Sequence, residues 1–146
     1  MRRYRDEFGI AEVNDPPHGL TQYDCVIRMR NDDRDYYLNV KTSLTITELG
    51  GRFDISKARR LIQLYHENPN LALLVAIIRV DWDNVWVRFK NVIVFNVAWI
   101  PDIYYNRANH NLQSRSNGTQ TFRTNGEFVS ELERQMDDAG HLEHYS

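Results

Sequence analysis

The 146-residue sequence predicts a mixed α/β (α+β) domain, a central sheet flanked by helices, and three features predict it. Stretch 23–43, YDCVIRMRNDDRDYYLNVKTS, holds two runs of alternating residues on either side of a polar turn. Leu71 to Val80 is continuously apolar and rich in β-branched residues, the pattern of a strand buried on both faces. Helical spacing appears twice, at Ile55, Ala58, Leu61, Ile62 and Tyr65 and at Phe128, Val129, Leu132 and Met136.

Taken in order, Tyr4, Phe8, Ile10 and Val13 predict a short first helix, ended by Asn14-Asp15-Pro16-Pro17 because a residue before proline is pushed out of the helical region. In the first run of stretch 23–43, Cys25, Ile27 and Met29 share one parity while Asp24, Val26, Arg28 and Arg30 share the other. Asn31-Asp32-Asp33-Arg34-Asp35 supplies a turn whose side chains bond their own backbone, so an antiparallel hairpin follows. In the second run Tyr36, Leu38 and Val40 alternate with Asn39 and Lys41, which therefore project together. Gly50-Gly51 leads to a helix that Asp54 or Ser56 caps and Asn68-Pro69 stops, leaving Lys57, Arg59, Arg60 and Gln63 facing outward, to phosphates or to water. After the buried strand come strands at Val85 to Phe89 and Val92 to Trp99, with turns at Asp83-Asn84 and Lys90-Asn91. Thr124-Asn125-Gly126-Glu127 opens the last helix with a capping box, and the tail frays from Gly140 on. The order α, β-β, α, β, β-β, α is expected to form one domain over residues 1–146.

Composition narrows the function classes. One cysteine, Cys25, gives no disulfide framework and no thiolate metal cluster, which suits a reducing compartment. The longest apolar run, Leu71 to Ile78, is too short for a membrane span, and the polar N-terminus lacks a signal h-region, so a cytoplasmic protein without membrane contact is expected. Asn117-Gly118-Thr119 then reads as a turn rather than a glycosylation site. A net charge of −2 gives no global support for nucleic-acid binding; clustering of the arginines decides, and Arg2, Arg3 and Arg5, Arg28, Arg30 and Arg34, Lys57, Arg59 and Arg60, and Arg107, Arg115 and Arg123 are the local groups. Residues 101–123 form a long polar stretch, PDIYYNRANHNLQSRSNGTQTFR, read as a loop. Its Asn106, Arg107, Asn109, His110, Asn111, Gln113 and Arg115 are the side-chain types that bond base edges and phosphates; a plain surface loop is the alternative. His141 and His144 lack a third ligand and are expected to be solvated.

Asp24 on one strand, then Asn39-Val40-Lys41 on the next, followed by Thr42-Ser43, resembles the signature of the PD-(D/E)XK nuclease superfamily and its type II restriction endonucleases. Tyr23 stands where that signature has proline, and Asn39 where it has its second acid. The resemblance implies a restriction-endonuclease-like sheet and a Mg²⁺-dependent endonuclease, with Mn²⁺ as a substitute ion, acting as a homodimer on double-stranded DNA. It makes Asp24 the principal metal ligand and the Val40 carbonyl a further one, with Lys41 orienting the attacking water and stabilising charge on the phosphate. Asn39 would coordinate through its amide oxygen, more weakly for want of charge, and Glu7 or Glu12 on the first helix would complete the site. A DNA-binding relative with lost or lowered activity, and a small α/β interaction module in which Asp24 and Lys41 form an ordinary cross-strand ion pair, are the alternatives.

Overall fold

The computed structural model describes residues 5–17, 21–44, 52–115 and 119–141, residue 44 by its backbone alone. The fold is mixed α/β, and the chain divides into two compact units, Met1–Thr45 with Leu71–Val97 and Ile46–Asn70 with Ala98–Ser146.

The first unit is a five-stranded sheet. Its strands are β1 (Ile10–Asn14), β2 (Cys25–Met29), β3 (Asp35–Leu44), β5 (Ala72–Asp83) and β6 (Trp86–Asn96), in the order β1-β2-β3-β5-β6. The β2–β3 hairpin forms as expected, with Cys25 opposite Leu38 and Arg28 opposite Asp35. Asp32 builds its turn: one carboxylate oxygen accepts the Arg34 amide and guanidinium, the other the Tyr36 hydroxyl. The Tyr36 hydroxyl and then the Arg34 amide hold the Asp32 carboxyl down to about 2. β3 pairs with β5 in parallel, Asn39 beside Val75 and Lys41 beside Ile77, and β5 pairs antiparallel with β6. Val75, Ile77 and Phe95 are fully or nearly fully buried, so the face that carries Asn39 is the core face of this sheet.

Two expectations fail here for the same reason, a β-bulge. The segment predicted as a first helix is a turn over residues 5–9, with Gly9 at φ +64°, followed by strand β1. A register shift between Ile10 and Glu12 places Ile10 opposite Met29 and Val13 opposite Ile27, so residues three apart share a face as they would on a helix. Likewise the turn predicted at Lys90-Asn91 is a bulge within a single strand: Arg79 pairs with Asn91 and Val80 with Phe89, which leaves Lys90 over. That strand stops at Asn96, and Val97–Trp99 is a 3-10 turn rather than strand. The turn at Asp83 is as expected, the Asp83 carboxylate accepting the amides of Val85 and Trp86.

The second unit pairs a three-stranded sheet with two helices. Strand β4 (Phe53–Lys57) runs directly into α1 (Ala58–Glu67), so the predicted caps Asp54 and Ser56 lie in a strand and Lys57 takes the cap position without a side-chain bond. Ile55 is buried from the strand, and Ala58, Leu61, Ile62 and Tyr65 from the helix. Helix α2 (Asn125–Asp138) starts at the predicted capping box, Thr124 and Glu127 exchanging bonds, and buries Phe128, Val129, Leu132 and Met136. Each such side chain contributes about 1.5–3 kcal/mol, and the Phe128 ring lies 5.1 Å from that of Tyr65.

The segment read as a loop over residues 101–123 contains β7 (Tyr104–Asn106) and β8 (Asn111–Ser114), paired as a hairpin, with β8 also pairing β4. Tyr105 and Leu112 face each other and are buried, which is what a three- or four-residue strand needs to hold. The turn between them is made by polar side chains: Asn106 accepts the Ala108 amide, Asn109 accepts the Asn111 amide, and His110 takes a left-handed φ of 59°. Asn117 and Gly118 of the predicted turn, the Gly50-Gly51 lead and His144 lie outside the described residues.

Candidate functional site

The first polar group belongs to the end of β2 and the middle of β3. The Asp24 amide donates to the Leu38 carbonyl at 2.7 Å, so the carbonyl of Leu38 points toward β2. Alternation along a strand turns the amide and carbonyl of Val40, two residues on, the same way. The β2 ladder has ended at that level, and the Val40 amide donates instead to the Asp24 carboxylate at 2.6 Å. Asp24 is exposed. The local sequence therefore brings a carboxylate to the main chain of Val40, and no ion pair joins Asp24 to Lys41.

Asn39 is 9% exposed, and its amide nitrogen donates to the Gln22 carbonyl at 3.0 Å. That bond turns the nitrogen toward the chain just before Asp24 and leaves the oxygen as the only group that could meet a cation. Lys41 shares the Asn39 face and is half-buried.

Glu12, expected on a helix, stands on β1 opposite Arg28 and is ion-paired with it at 3.4 Å. Arg28 is four positions along β2 from Asp24, about 13 Å at strand spacing, so Glu12 is not brought to Asp24. Glu7 lies in the exposed turn before β1. An acid that sequence reasoning missed is Asp15, which follows Asn14, the partner of Val26, and so comes level with Cys25. Burial, then the charges of Asp24 and Asp15, push the Cys25 thiol up, which places both carboxylates near that sulfur. Only the bulged register of β1 reveals Asp15, and the sequence carries no direct signal of that bulge.

Mg²⁺ takes one or two carboxylates, keeps several waters and accepts substrate phosphate oxygens. Asp24 and the Val40 carbonyl fit that modest demand. Among the described residues no three His, Cys, Asp or Glu side chains converge on one point, so a full protein cage is not what this donor set resembles.

The residues expected to read DNA fall into two classes. Asn109 donates to both Asp54 carboxylate oxygens, at 3.3 and 3.2 Å, and Gln113 donates to one of them at 2.6 Å. Asn111 bonds the same carboxylate. Burial raises the Asp54 carboxyl, but these three amides and the Lys57 charge outweigh it and hold it below the ordinary range. The three amides are thus engaged in joining β8 and its turn to β4. Asn106 is engaged in its own turn, and His110 bonds the Tyr105 hydroxyl at 2.7 Å. Arg107 and Arg115 are exposed and remain open to phosphate. His141, expected to be solvated, also bonds the Tyr105 hydroxyl, at 2.8 Å.

No helix of the described residues is long and apolar enough to cross a membrane. Compared with protein-family models and with curated proteins, the chain matches none.

Proposed function

We propose that the chain is a Mg²⁺-dependent DNA endonuclease of the PD-(D/E)XK kind, acting in the cytoplasm. The observation that carries the reading is the Asp24 carboxylate on the main chain of Val40, beside a strand whose Asn39 and Lys41 share one face. A sheet in which β3 pairs antiparallel with β2 and parallel with β5 supports it, since that arrangement seats a strand-borne site on a rigid frame. When bound, the metal neutralises charge on the phosphate and lowers the pKa of water. Asp24 and the Val40 carbonyl would hold it, and the Lys41 ammonium would orient the attacking water. The water oxygen forms a new P–O bond, one ester P–O bond breaks, and one water proton passes to the leaving oxygen while the other goes to solvent. Arg107 and Arg115 would position the duplex by its phosphates rather than read its bases.

Cutting both strands calls for two sites, and one sheet face favours a homodimer. Val40, Trp82, Val87, Phe89, Val92 and Val94 are exposed on it, Phe89 by 79% and Trp82 by 61%, and β6 is an edge strand of the described sheet. Sedimentation that gives a monomer at assay concentration, unchanged by Phe89→Lys, rules that part out.

A second reading, a DNA-binding protein with lowered activity, is favoured by Asn39, whose amide is engaged by Gln22 and carries no charge for a cation. Plasmid cleavage in Mg²⁺, with Asp24→Ala and a chelator as controls, separates the two. Cleavage that survives either control ends the reading of a metal-dependent site at Asp24, and salt-dependent duplex binding without cleavage favours the second.

A further inference from the structure

A cavity of about 530 Å³ in the second unit takes no part in the site above, and the geometry points to it as a binding site for a phosphomonoester, the terminal phosphate of an oligonucleotide or a free mononucleotide. Lys57, Arg59 and Arg60 line it from the end of β4 and the first turn of α1, and His110 and His141 line it from the β7–β8 turn and the segment after α2. Among the described lining residues there is no carboxylate. Asp54 bears on Lys57, and Asp137 and Asp138 are exposed at the end of α2, where Asp138 is paired with Arg134.

Charge selects the ligand class. Three permanent cations line one concavity, Lys57 with Asp54 beside it, and a phosphomonoester, which carries nearly two negative charges at neutral pH, answers them better than the single charge of an ester phosphate. Lys57 is held in place by its bond to the Asn109 carbonyl at 2.6 Å and keeps two further N–H donors. The first turn of α1 has no side-chain cap and no acid, so its dipole adds to the same sign. Size points the same way: a continuous DNA backbone is tracked by an extended groove, and a cavity of this volume suits a small ligand or a chain end.

The histidines supply directed donors. The Tyr105 hydroxyl lies 2.7 Å from the His110 Nδ1 and 2.8 Å from the His141 Nδ1, and the two imidazole rings are 4.5 Å apart. One hydroxyl proton serves one ring, so Tyr105 donates to one Nδ1 and accepts N–H from the other. The ring that accepts keeps Nε2–H as a donor. The ring that donates has a bare Nε2, an acceptor for a ligand hydroxyl. Arg59 bears on the same hydroxyl, opposing the rise that burial gives the Tyr105 phenol.

The test is binding without divalent metal, in the wild type and in Asp24→Ala, so that its outcome is independent of the proposed nuclease site. Fluorescence anisotropy compares a labelled single-stranded oligonucleotide bearing a 5′-phosphate with the same oligonucleotide bearing 5′-hydroxyl, and calorimetry follows mononucleotide and inorganic phosphate. The phosphorylated oligonucleotide or the mononucleotide is expected to bind at least about tenfold more tightly than its unphosphorylated counterpart. Which of the two gains identifies the source. Arg60→Gln, at an exposed position, and His110→Asn should each remove most of that gain, and addition of phosphate should shift the His110 and His141 imidazole resonances. Equal binding with and without the phosphate, or a gain untouched by Arg60→Gln and His110→Asn, overturns the assignment.

Discussion

Asp24 and Asp54 are both exposed aspartates beside a hairpin, and their surroundings differ in kind. Three side-chain amides and a lysine charge converge on Asp54, from Asn109, Asn111, Gln113 and Lys57. Asp24 accepts one main-chain amide, that of Val40. A carboxylate has about four lone-pair sites: Asp54 has its donors supplied by the protein, while Asp24 retains acceptor capacity next to a carbonyl that faces the same way. Asp54 therefore reads as architecture, while Asp24 is where the proposed cation would sit, although the polar stretch that meets Asp54 looks richer in the sequence.

The largest effect should come from the hairpin itself. Leu112 is fully buried between Asn111 and Gln113, so Leu112→Ala should cost about 2–5 kcal/mol in denaturant unfolding. A loss under 1 kcal/mol, on the order of a surface change, would return residues 101–123 to the status of a loop.

Asp54→Ala should cost about 1–2 kcal/mol, the hydrogen bonds to a charged acceptor discounted for exposure. Its pH dependence follows from the lowered carboxyl. That contribution is fully present above the unfolded value of about 3.9 and is lost as pH falls through the lower folded value, because the unfolded state binds the proton first. Unfolding curves of the wild type should accordingly fall toward those of Asp54→Asn below about pH 4. Parallel curves would mean that the amides do not favour the charged form.

Arg107→Ala should weaken duplex binding without altering stability and reduce the salt slope by about 1. Asn109→Ala should do the reverse, loosening the second unit with little change in the salt slope. If Asn109→Ala changed sequence preference in a fully folded protein, the division between architectural amides and open arginines would be wrong.

How far the sequence carried these distinctions depends on the range of the signal. The capping box at Thr124 and Glu127, the apolar stripe of α2, the β2–β3 turn and the strand at Ala72–Asp83 are local patterns, and each is where the residues place it. The bulges at Ala11 and Lys90 are not local: each is defined by its partner strand, and they made a strand look helical and one strand look like two. The amides of Asn109, Asn111 and Gln113 look like readers in the sequence because their acceptor, Asp54, is more than fifty residues away. Asp24 and Val40 come together in the sequence only through the resemblance, which names the Val40 carbonyl; the bond from the Val40 amide follows from the β2 ladder ending at Cys25 and Leu38, which the sequence does not mark.

The most direct test of the account is calorimetric titration of Mg²⁺ and Mn²⁺ into the wild type, Asp24→Ala and Asn39→Asp. The wild type should bind weakly and Asp24→Ala should lose at least about tenfold in affinity. Asn39→Asp replaces the bond to the Gln22 carbonyl with a repulsion, so it should melt below the wild type in chelator, and it should then bind the ion more tightly and recover on adding it. Asp24→Ala that binds either ion as the wild type does, with Asn39→Asp indifferent to metal, would contradict a cation at Asp24 and Val40.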